Sequence, residues 1–573
     1  MELRSGPEPA PAAAEWQRVW LDAFDCDMPS CVPYPRAPVS ALLETAARLR
    51  PDHPACTLYG RKVTYARLDE QARRLARSLA DLGARPGRCV GMLLPNIPEY
   101  LVALQATWLT GATALQLSPL MVAEEVAHWL EATGCHIVVT LDLLAPAVIG
   151  ALDRGPLEHV VVASLAERLA PWWAWLYRFQ HLRKNGSLRL REDAHRHHLK
   201  HLLEAEPLPG GPPVAPEEDV AVLAPTGGTT SSPKAVMLTH RNLVANAMQL
   251  RHWTTGVEEA RGILGVLPFF HCYGLTVGLL GCWARAGTVH LYPRFEAKAV
   301  VSLLEHERIE LVPAVPAMLR ALNHVLRKRP RDLSFIRAVV CGASALDAGV
   351  REEWARSGAQ ELVEGYGLTE ASPVTHVNPL GSGNRPGTIG LPLADTEAKV
   401  VDPADCTKEL PVGEVGELAV RGPQVMKGYF NNPQATAQAL RDGWLCTGDM
   451  ARRDKDGYYS IVDRKKDIIK TSGFLVFPAE VEEVLGLFPG VAEAAVVGVP
   501  DAERGEVVKA LVVPREGGKI DVDALDGYCR EHLSKHKRPR QIEVVPELPK
   551  NFLGKVLRRK VREGAGGNGN GHA

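Results

Sequence analysis

Residues 223–240 read LAPTGGTTSSPKAVMLTH. The run just before, DVAVLA at 219–224, predicts a buried strand ending at Pro225. Thr239 stands directly ahead of RNLVANAMQL, where it predicts a helix cap. Residues 226–234 between them are glycine, threonine and serine with one proline and one lysine, Lys234. On this reading the loop sits where a strand hands over to a helix. Backbone amides, close approach at glycine and hydroxyl donors suit a phosphate chain there. Lys234 adds a point charge. The loop is not a Walker A motif, because Gly228 is followed five residues later by Pro233, then Lys234 and Ala235. A surface turn draws on the same residue types, so the loop alone leaves both readings open.

Working outward, strand-like runs recur at 90–93 (VGML), 136–141 (HIVVTL), 160–163 (VVVA) and 338–341 (AVVC). They alternate with helical patterns such as LDEQARRLARSLADLG at 68–83. This alternation predicts α/β layers around largely parallel sheet. From 385 to 463 short strands alternate with Gly and Asp turns, which predicts an antiparallel, β-barrel-like section. The expected plan is a large N-terminal domain over 1–463, built of two α/β layered subdomains plus the barrel-like section. A small, mobile α+β domain over 464–563 follows, then a disordered polar tail, GAGGNGNGHA, at 564–573.

The 573 residues carry a net charge of −1, which excludes a nucleic-acid binder driven by overall charge. Eleven scattered cysteines form no C-x-x-C pair, so neither a disulfide framework nor a zinc site is expected, and a reducing cytoplasm fits. The first residues, MELRSGPEPAPAAAEW, show no apolar signal core. The most apolar region, 263–284, is broken by Pro268, His271 and glycines, and reads as buried protein instead of a membrane span.

Four further stretches stand in register with the opening loop: EGYGLTEASP at 364–373, WLCTGD at 444–449, DRKKDIIKTSG at 463–473 and LPKNFLGKVLRR at 548–559. In this order and spacing the chain resembles the adenylate-forming superfamily of acyl-CoA synthetases, luciferases and nonribosomal adenylation domains, from about Tyr65 to Arg559. Its look is that of the bacterial long-chain fatty acid–CoA ligases. The resemblance implies ATP, CoA and Mg2+ as cofactors and small-molecule substrates. It implies activation of a carboxylic acid to acyl-AMP with release of pyrophosphate, then transfer to a thiol.

Carried over residue by residue, Thr226, Gly228, Thr229, Thr230 and Lys234 fall on the phosphate loop. Ser231 stands where glycine is usual, and Ala235 where glycine often follows the lysine. Tyr366 falls on the adenine-stacking position, Thr369 on the α-phosphate contact, and Glu370, with Thr229, on the metal position. Asp449 matches the ribose carboxylate; one ionised carboxylate can accept from two vicinal hydroxyls. Arg464 assists beside it. Lys466 matches the hinge. Lys470 and Gly473 match the loop that serves thioester formation, with Gly473 leaving room for the pantetheine arm of CoA. Lys555 matches the lysine of adenylation. The two lysines serve different half-reactions, which implies rotation of the last domain. LPFFHCYGL at 267–275 and CGASAL at 341–346 match the acyl pocket, with His271, Gly342 and Ala343 as lining residues.

The stretch APWWAWLYRFQHLRK at 170–184 interleaves aromatics with Arg178, Arg183 and Lys184. Peripheral contact at the inner face of the membrane and a helix docked on its own domain both remain open there. HRHHLKH at 195–201 places His197 and His201 one helical turn apart; a solvated basic helix is expected over a metal site. Alternative functions are an acyl-AMP ligase loading carrier-protein phosphopantetheine, a luciferase-like oxidation, and a non-catalytic lipid or nucleotide binder retaining the fold.

Overall fold

The computed structural model describes residues 31–152, 155–169, 172, 174–177, 179, 192–226, 234–254, 262–472, 474–501, 503–515, 517–550 and 556–566. Two large sheets form the N-terminal domain. The eight-stranded sheet has Cys89–Leu93, Thr113–Gln116 and Val220–Thr226 near its centre. These strands pair in parallel, as do Ile137–Leu141, His159–Ala163 and Arg196–His198 beyond them. The nine-stranded sheet runs parallel through Leu311–Ala314, Ala338–Cys341 and Glu361–Gly367, then turns antiparallel at Val374–Val377. The expected α/β layering is present.

The helix Pro98–Leu109 is buried along its whole length, so it has no polar face for solvent. Several of its polar groups pair inside, as buried polar groups generally must: Tyr100 donates to Gln116 at 2.7 Å, Trp108 to the Ala221 carbonyl at 3.0 Å, and Glu99 meets Arg168 at 2.6 Å. The region 263–284 forms the strand Gly262–Gly265 and a buried π-helix at Tyr273–Leu280. A Cβ on Gly274 would come within 2.2 Å of the Pro268 carbonyl, so only glycine lets that helix start there. No helix among the described residues is long and apolar enough to cross a membrane.

Two local readings change. The loop after Thr226 joins two antiparallel strands, Val220–Thr226 and Lys234–Thr239, and the helix begins only at His240. Thr239 does cap that helix, accepting from the Asn242 amide at 3.2 Å while Asn242 accepts from the Thr239 amide at 2.9 Å. The strand continues through Pro225 because its pairing with Thr113–Gln116 stops at Leu223. On that side the missing proline N–H costs no ladder bond. Second, 195–201 is not one helix. Arg196–His198 adds as an edge strand to His159–Ala163, and a short helix, Leu199–Leu202, follows. His197 therefore meets His159 at 3.3 Å, and His201 pairs with Glu192 at 2.8 Å. No group of three or more His, Cys, Asp or Glu among the described residues could hold a metal.

The barrel-like section is a five-stranded antiparallel sheet that includes Glu397–Val401, Val415–Arg421, Trp444–Arg453 and Tyr459–Arg464. A second five-stranded sheet, around Val491–Asp501 and Gly505–Pro514, forms the small C-terminal domain. Val496 and Val508 face one core; Val497 and Val507 face another. Coverage on both faces explains why EAAVVGVP reads as a continuous apolar run. The helix Arg558–Gly566 reaches three residues into the segment read as tail.

Between the two five-stranded sheets, Asp463 is held by Arg558 at 3.0 Å and by the Ala479 amide at 2.7 Å. Arg558 also meets Glu482 at 2.6 Å. The Asp463 side chain is 1% exposed, so its charge depends on these partners.

Buried histidines set the acid limit of the fold. Burial lowers His376 to about 3 and His240 to about 4. Unfolded imidazole takes its proton near pH 6.5. The unfolded chain therefore binds these protons more tightly. Their contribution is complete above pH 6.5, falls as pH drops from there toward each folded value, by up to about 1.4 kcal/mol per pH unit for each histidine, and levels off below it. Denaturant titrations from pH 7 to 3.5 should show this loss, and His376→Gln should flatten it.

Candidate functional site

The strand Glu361–Gly367 delivers Tyr366 to its end, where the chain must turn sharply. Gly367 permits the turn: a Cβ there would lie 2.0 Å from the Pro373 carbonyl. The Leu368 amide then donates to that same carbonyl at 2.9 Å. Thr369–Ala371 follow as one 3-10 turn. The turn is braced from behind by Asn246, whose amide group donates to the Val374 carbonyl at 2.8 Å and accepts from the Val374 amide at 3.0 Å.

Tyr366 donates its hydroxyl to Asp449 at 2.6 Å. Asp449 and Arg464 are register partners on adjacent antiparallel strands, and their side chains meet at 3.4 Å. Gly448, at φ +74°, turns the chain beside Asp449. The Gly448 amide donates to buried Glu417 at 2.9 Å, and Lys465 neutralises that carboxylate at 2.7 Å. The Tyr366 ring packs edge-on to His376, with centroids 6.1 Å apart. Burial, then the neighbouring Asp449 charge, raises the Tyr366 hydroxyl well above its ordinary value, so it remains a donor.

Glu370 accepts from the Tyr429 hydroxyl at 2.8 Å. The Lys234 ammonium lies 4.9 Å from the centroid of that same tyrosine ring. Thr226 donates to the Lys234 carbonyl at 3.1 Å across the base of the hairpin. Lys466 is exposed at the surface, yet the charges of Arg464, Asp467, Asp449 and Glu370 all act on it. Partial desolvation and the Arg464 charge lower its pKa. Two carboxylates and three cations thus share one rim.

The structure therefore gathers Thr226, Lys234, Tyr366, Glu370, Asp449, Arg464 and Lys466, with Thr369 in the same turn as Glu370. Lys470 lies apart. Its side chain is exposed on the strand Ile469–Thr471, and its amide donates to Glu506 at 2.8 Å. Gly228, Thr229, Thr230, Gly473 and Lys555 lie outside the described residues.

On the apolar side, His271 accepts from the Tyr273 amide at 3.3 Å. Tyr273 donates to the carbonyls of Val340 at 2.7 Å and Ala314 at 3.2 Å. That joins the 267–275 segment to the ends of the strands Leu311–Ala314 and Ala338–Cys341, just ahead of Gly342. A Cβ on Gly342 would reach the Gly365 carbonyl at 3.2 Å and the Tyr273 ring at 3.5 Å. The Cys272 thiol is pushed up to about 12, by burial first and then by the Glu370 charge.

The residues suit Mg2+ in one respect. Glu370 offers a single carboxylate with one oxygen already oriented, and no wider protein cage exists among the described residues. Mg2+ commonly binds through one or two carboxylates plus waters and substrate phosphates. Sequence reasoning missed Tyr429 and Tyr273. The first lies in MKGYF at 426–430, and only its contact with Glu370 distinguishes it from an ordinary strand tyrosine.

Residues 43–430 match the family described as AMP-binding enzyme, and residues 480–555 match the AMP-binding enzyme C-terminal domain. A long-chain-fatty-acid–CoA ligase of Bacillus subtilis (strain 168) is 37% identical over 551 residues, 96% of this chain and 98% of that protein. A feruloyl-CoA synthase of Amycolatopsis sp is 36% identical over 517 residues, 90% of this chain and 96% of that protein. Among solved structures, the anthranilate CoA ligase AuaEII in complex with anthranoyl-AMP superposes with a TM-score of 0.80 at 26% identity, covering 93% of this chain and 98% of that one. ATP-bound MatB from Rhodopseudomonas palustris gives 0.79 at 28% identity, covering 92% and 99%. With both family domains matched in order along most of its length, the chain belongs to the AMP-binding enzymes of the adenylate-forming superfamily.

Proposed function

We propose that this protein joins a fatty acid, in the long-chain range, to CoA in two ATP-dependent steps. The observation that carries the reading is the joint placement of Tyr366, Asp449, Arg464 and Glu370 beside the apolar 267–275 wall. In the first step a carboxylate oxygen attacks the α-phosphorus and pyrophosphate leaves. In the second the CoA sulfur attacks the acyl carbon and AMP leaves. One anion must approach another, so cations fixed beforehand lower the barrier.

In this reading Tyr366 stacks on adenine and Asp449 accepts from the ribose hydroxyls, with Arg464 at its side. Lys234 holds the phosphates together with the 226–230 hydroxyls and amides, and Thr369 contacts the α-phosphate. Mg2+ held at Glu370 and Thr229 would draw charge off the phosphate oxygens. His271, Gly342 and Ala343 line the acyl pocket. Lys555 serves adenylation; Lys470 and Gly473 serve transfer to CoA, with Lys466 as pivot. We place the domain boundary between Asp463 and Arg464. The chain length rests on relatives named long-chain-fatty-acid–CoA ligase at 33–37% identity. A second reading, an aryl acid, is favoured by the 36% identity to feruloyl-CoA synthase.

CoA as the acceptor has its own support. A cavity of about 300 Å³ beside Thr471 and Ser472 is lined by Arg504, Lys535, Arg538, Arg540 and His536, with no carboxylate in its wall. Phe474 stacks on His536 at its edge, with centroids 4.7 Å apart. Cations beside an aromatic face suit a phosphorylated nucleoside, which free CoA carries and a carrier-protein arm lacks. For the membrane, Trp172 and Trp175 are 61% and 67% exposed, while Tyr177 turns inward to Asp142. Outward tryptophans favour an interfacial role for this segment.

Pyrophosphate–ATP exchange across acids from acetate to oleate, with ferulate added, tests the activity. Maximal exchange with C12–C18 acids is expected; exchange with none overturns the reading. Asp449→Asn should raise the KM for ATP about tenfold through weakened ribose bonds. Arg540→Ala should raise the KM for CoA while leaving that for pantetheine unchanged. In liposome flotation, Trp172→Ser/Trp175→Ser should stay at the bottom of the gradient while the parent protein rises.

A further inference from the structure

Tyr429 occupies a place that the reaction scheme leaves unexplained. It lies on a two-residue strand, Gly428–Tyr429, that pairs antiparallel with Lys234–Thr239. The Phe430 amide donates to the Ala235 carbonyl at 2.8 Å, which ties the tyrosine beside the start of the lysine-bearing strand. The Tyr429 amide donates to Thr436 at 2.9 Å. Thr436 also packs so close to Gly428 that a Cβ there would lie 2.7 Å away. The backbone of Tyr429 is thus held from both sides.

From that position it touches both halves of the charged rim. The hydroxyl donates to Glu370 Oε1 at 2.8 Å, and the ring lies under the Lys234 ammonium at 4.9 Å. The Met426 amide donates to the Glu370 carbonyl at 2.8 Å, so the segment before the tyrosine anchors the backbone of the glutamate as well. Glu370 follows a strand of the nine-stranded sheet, whereas Lys234 begins a strand of the eight-stranded one. Tyr429 bridges them with one rigid side chain.

We propose that Tyr429 is a positioning residue that aligns Glu370 and Lys234 with each other before nucleotide arrives. The hydroxyl occupies one carboxylate oxygen and orients the other toward a divalent cation. The ring face carries the ammonium at the height of the phosphate chain, through a cation–π contact. The metal-binding group and the phosphate-binding group then form one unit, although 136 positions separate them in the sequence. The proposal rests on the adenylation reading above.

The two contacts separate by substitution. Tyr429→Phe keeps the ring and removes the hydroxyl; Tyr429→Leu removes both. Calorimetric titration of the full chain with ATP, once with excess Mg2+ and once with EDTA, reads each contact without turnover. Tyr429→Phe should weaken binding of Mg–ATP about tenfold, the scale of one hydrogen bond to a charged group, and leave metal-free ATP unchanged. Tyr429→Leu should weaken both forms. In a Glu370→Gln background, Tyr429→Phe should lose its metal-specific effect. Equal weakening of both ATP forms by Tyr429→Phe, or no weakening of either, overturns the proposal. ATP binding absent from the unsubstituted protein would overturn the adenylation reading itself, and this proposal with it.

Discussion

The site depends on one carboxylate shared by two structural units. Asp449 accepts from Tyr366, at the tip of the nine-stranded sheet, and faces Arg464, its neighbour in the antiparallel sheet. That contact ties the two sheets together at the rim, near the backbone pairing of Tyr459 with Gly390. Within the antiparallel sheet, buried Glu417 takes the Gly448 amide and the Lys465 ammonium beside it. Partly buried charges of this kind are worth holding only in opposed pairs, because desolvation penalises each alone. The pairs therefore fix geometry at the same time as they cancel charge.

The same logic extends around the rim. Glu370 and Asp449 supply negative charge; Lys234, Arg464 and Lys466 supply positive charge. A triphosphate entering such a rim meets groups already oriented, so little reorganisation accompanies binding. The apolar wall begins close by: Cys272, adjacent to His271, feels the Glu370 charge.

The junction with the C-terminal domain is built differently. Asp463 is almost wholly buried, and Arg558 meets it from the last described helix. Arg558 also binds Glu482 and approaches Asp467 at 3.5 Å. One guanidinium therefore spans the end of the N-terminal domain and two elements of the small domain. A planar fork of five donors can do this where a lysine could not.

Much of this was legible in the residues. The strand runs at 90–93, 136–141, 160–163 and 338–341 all became buried parallel strands, because apolar runs of that length have nowhere else to go. The motifs marked which side chains to watch, since phosphate, ribose and metal chemistry restrict residue type. What the sequence could not determine was partnership across space. Pro225 looked like a strand end, yet it sits where only one side of the strand is paired. His197 and His201 looked like one helical face, yet an edge strand separates them. Tyr429 looked like any strand tyrosine until Glu370 and Lys234 came within reach of it. Periodicity and composition report what each segment buries. Which charge faces which is decided only when sheets pack, because Coulomb and hydrogen-bond terms act over a few ångströms of space and not along the chain.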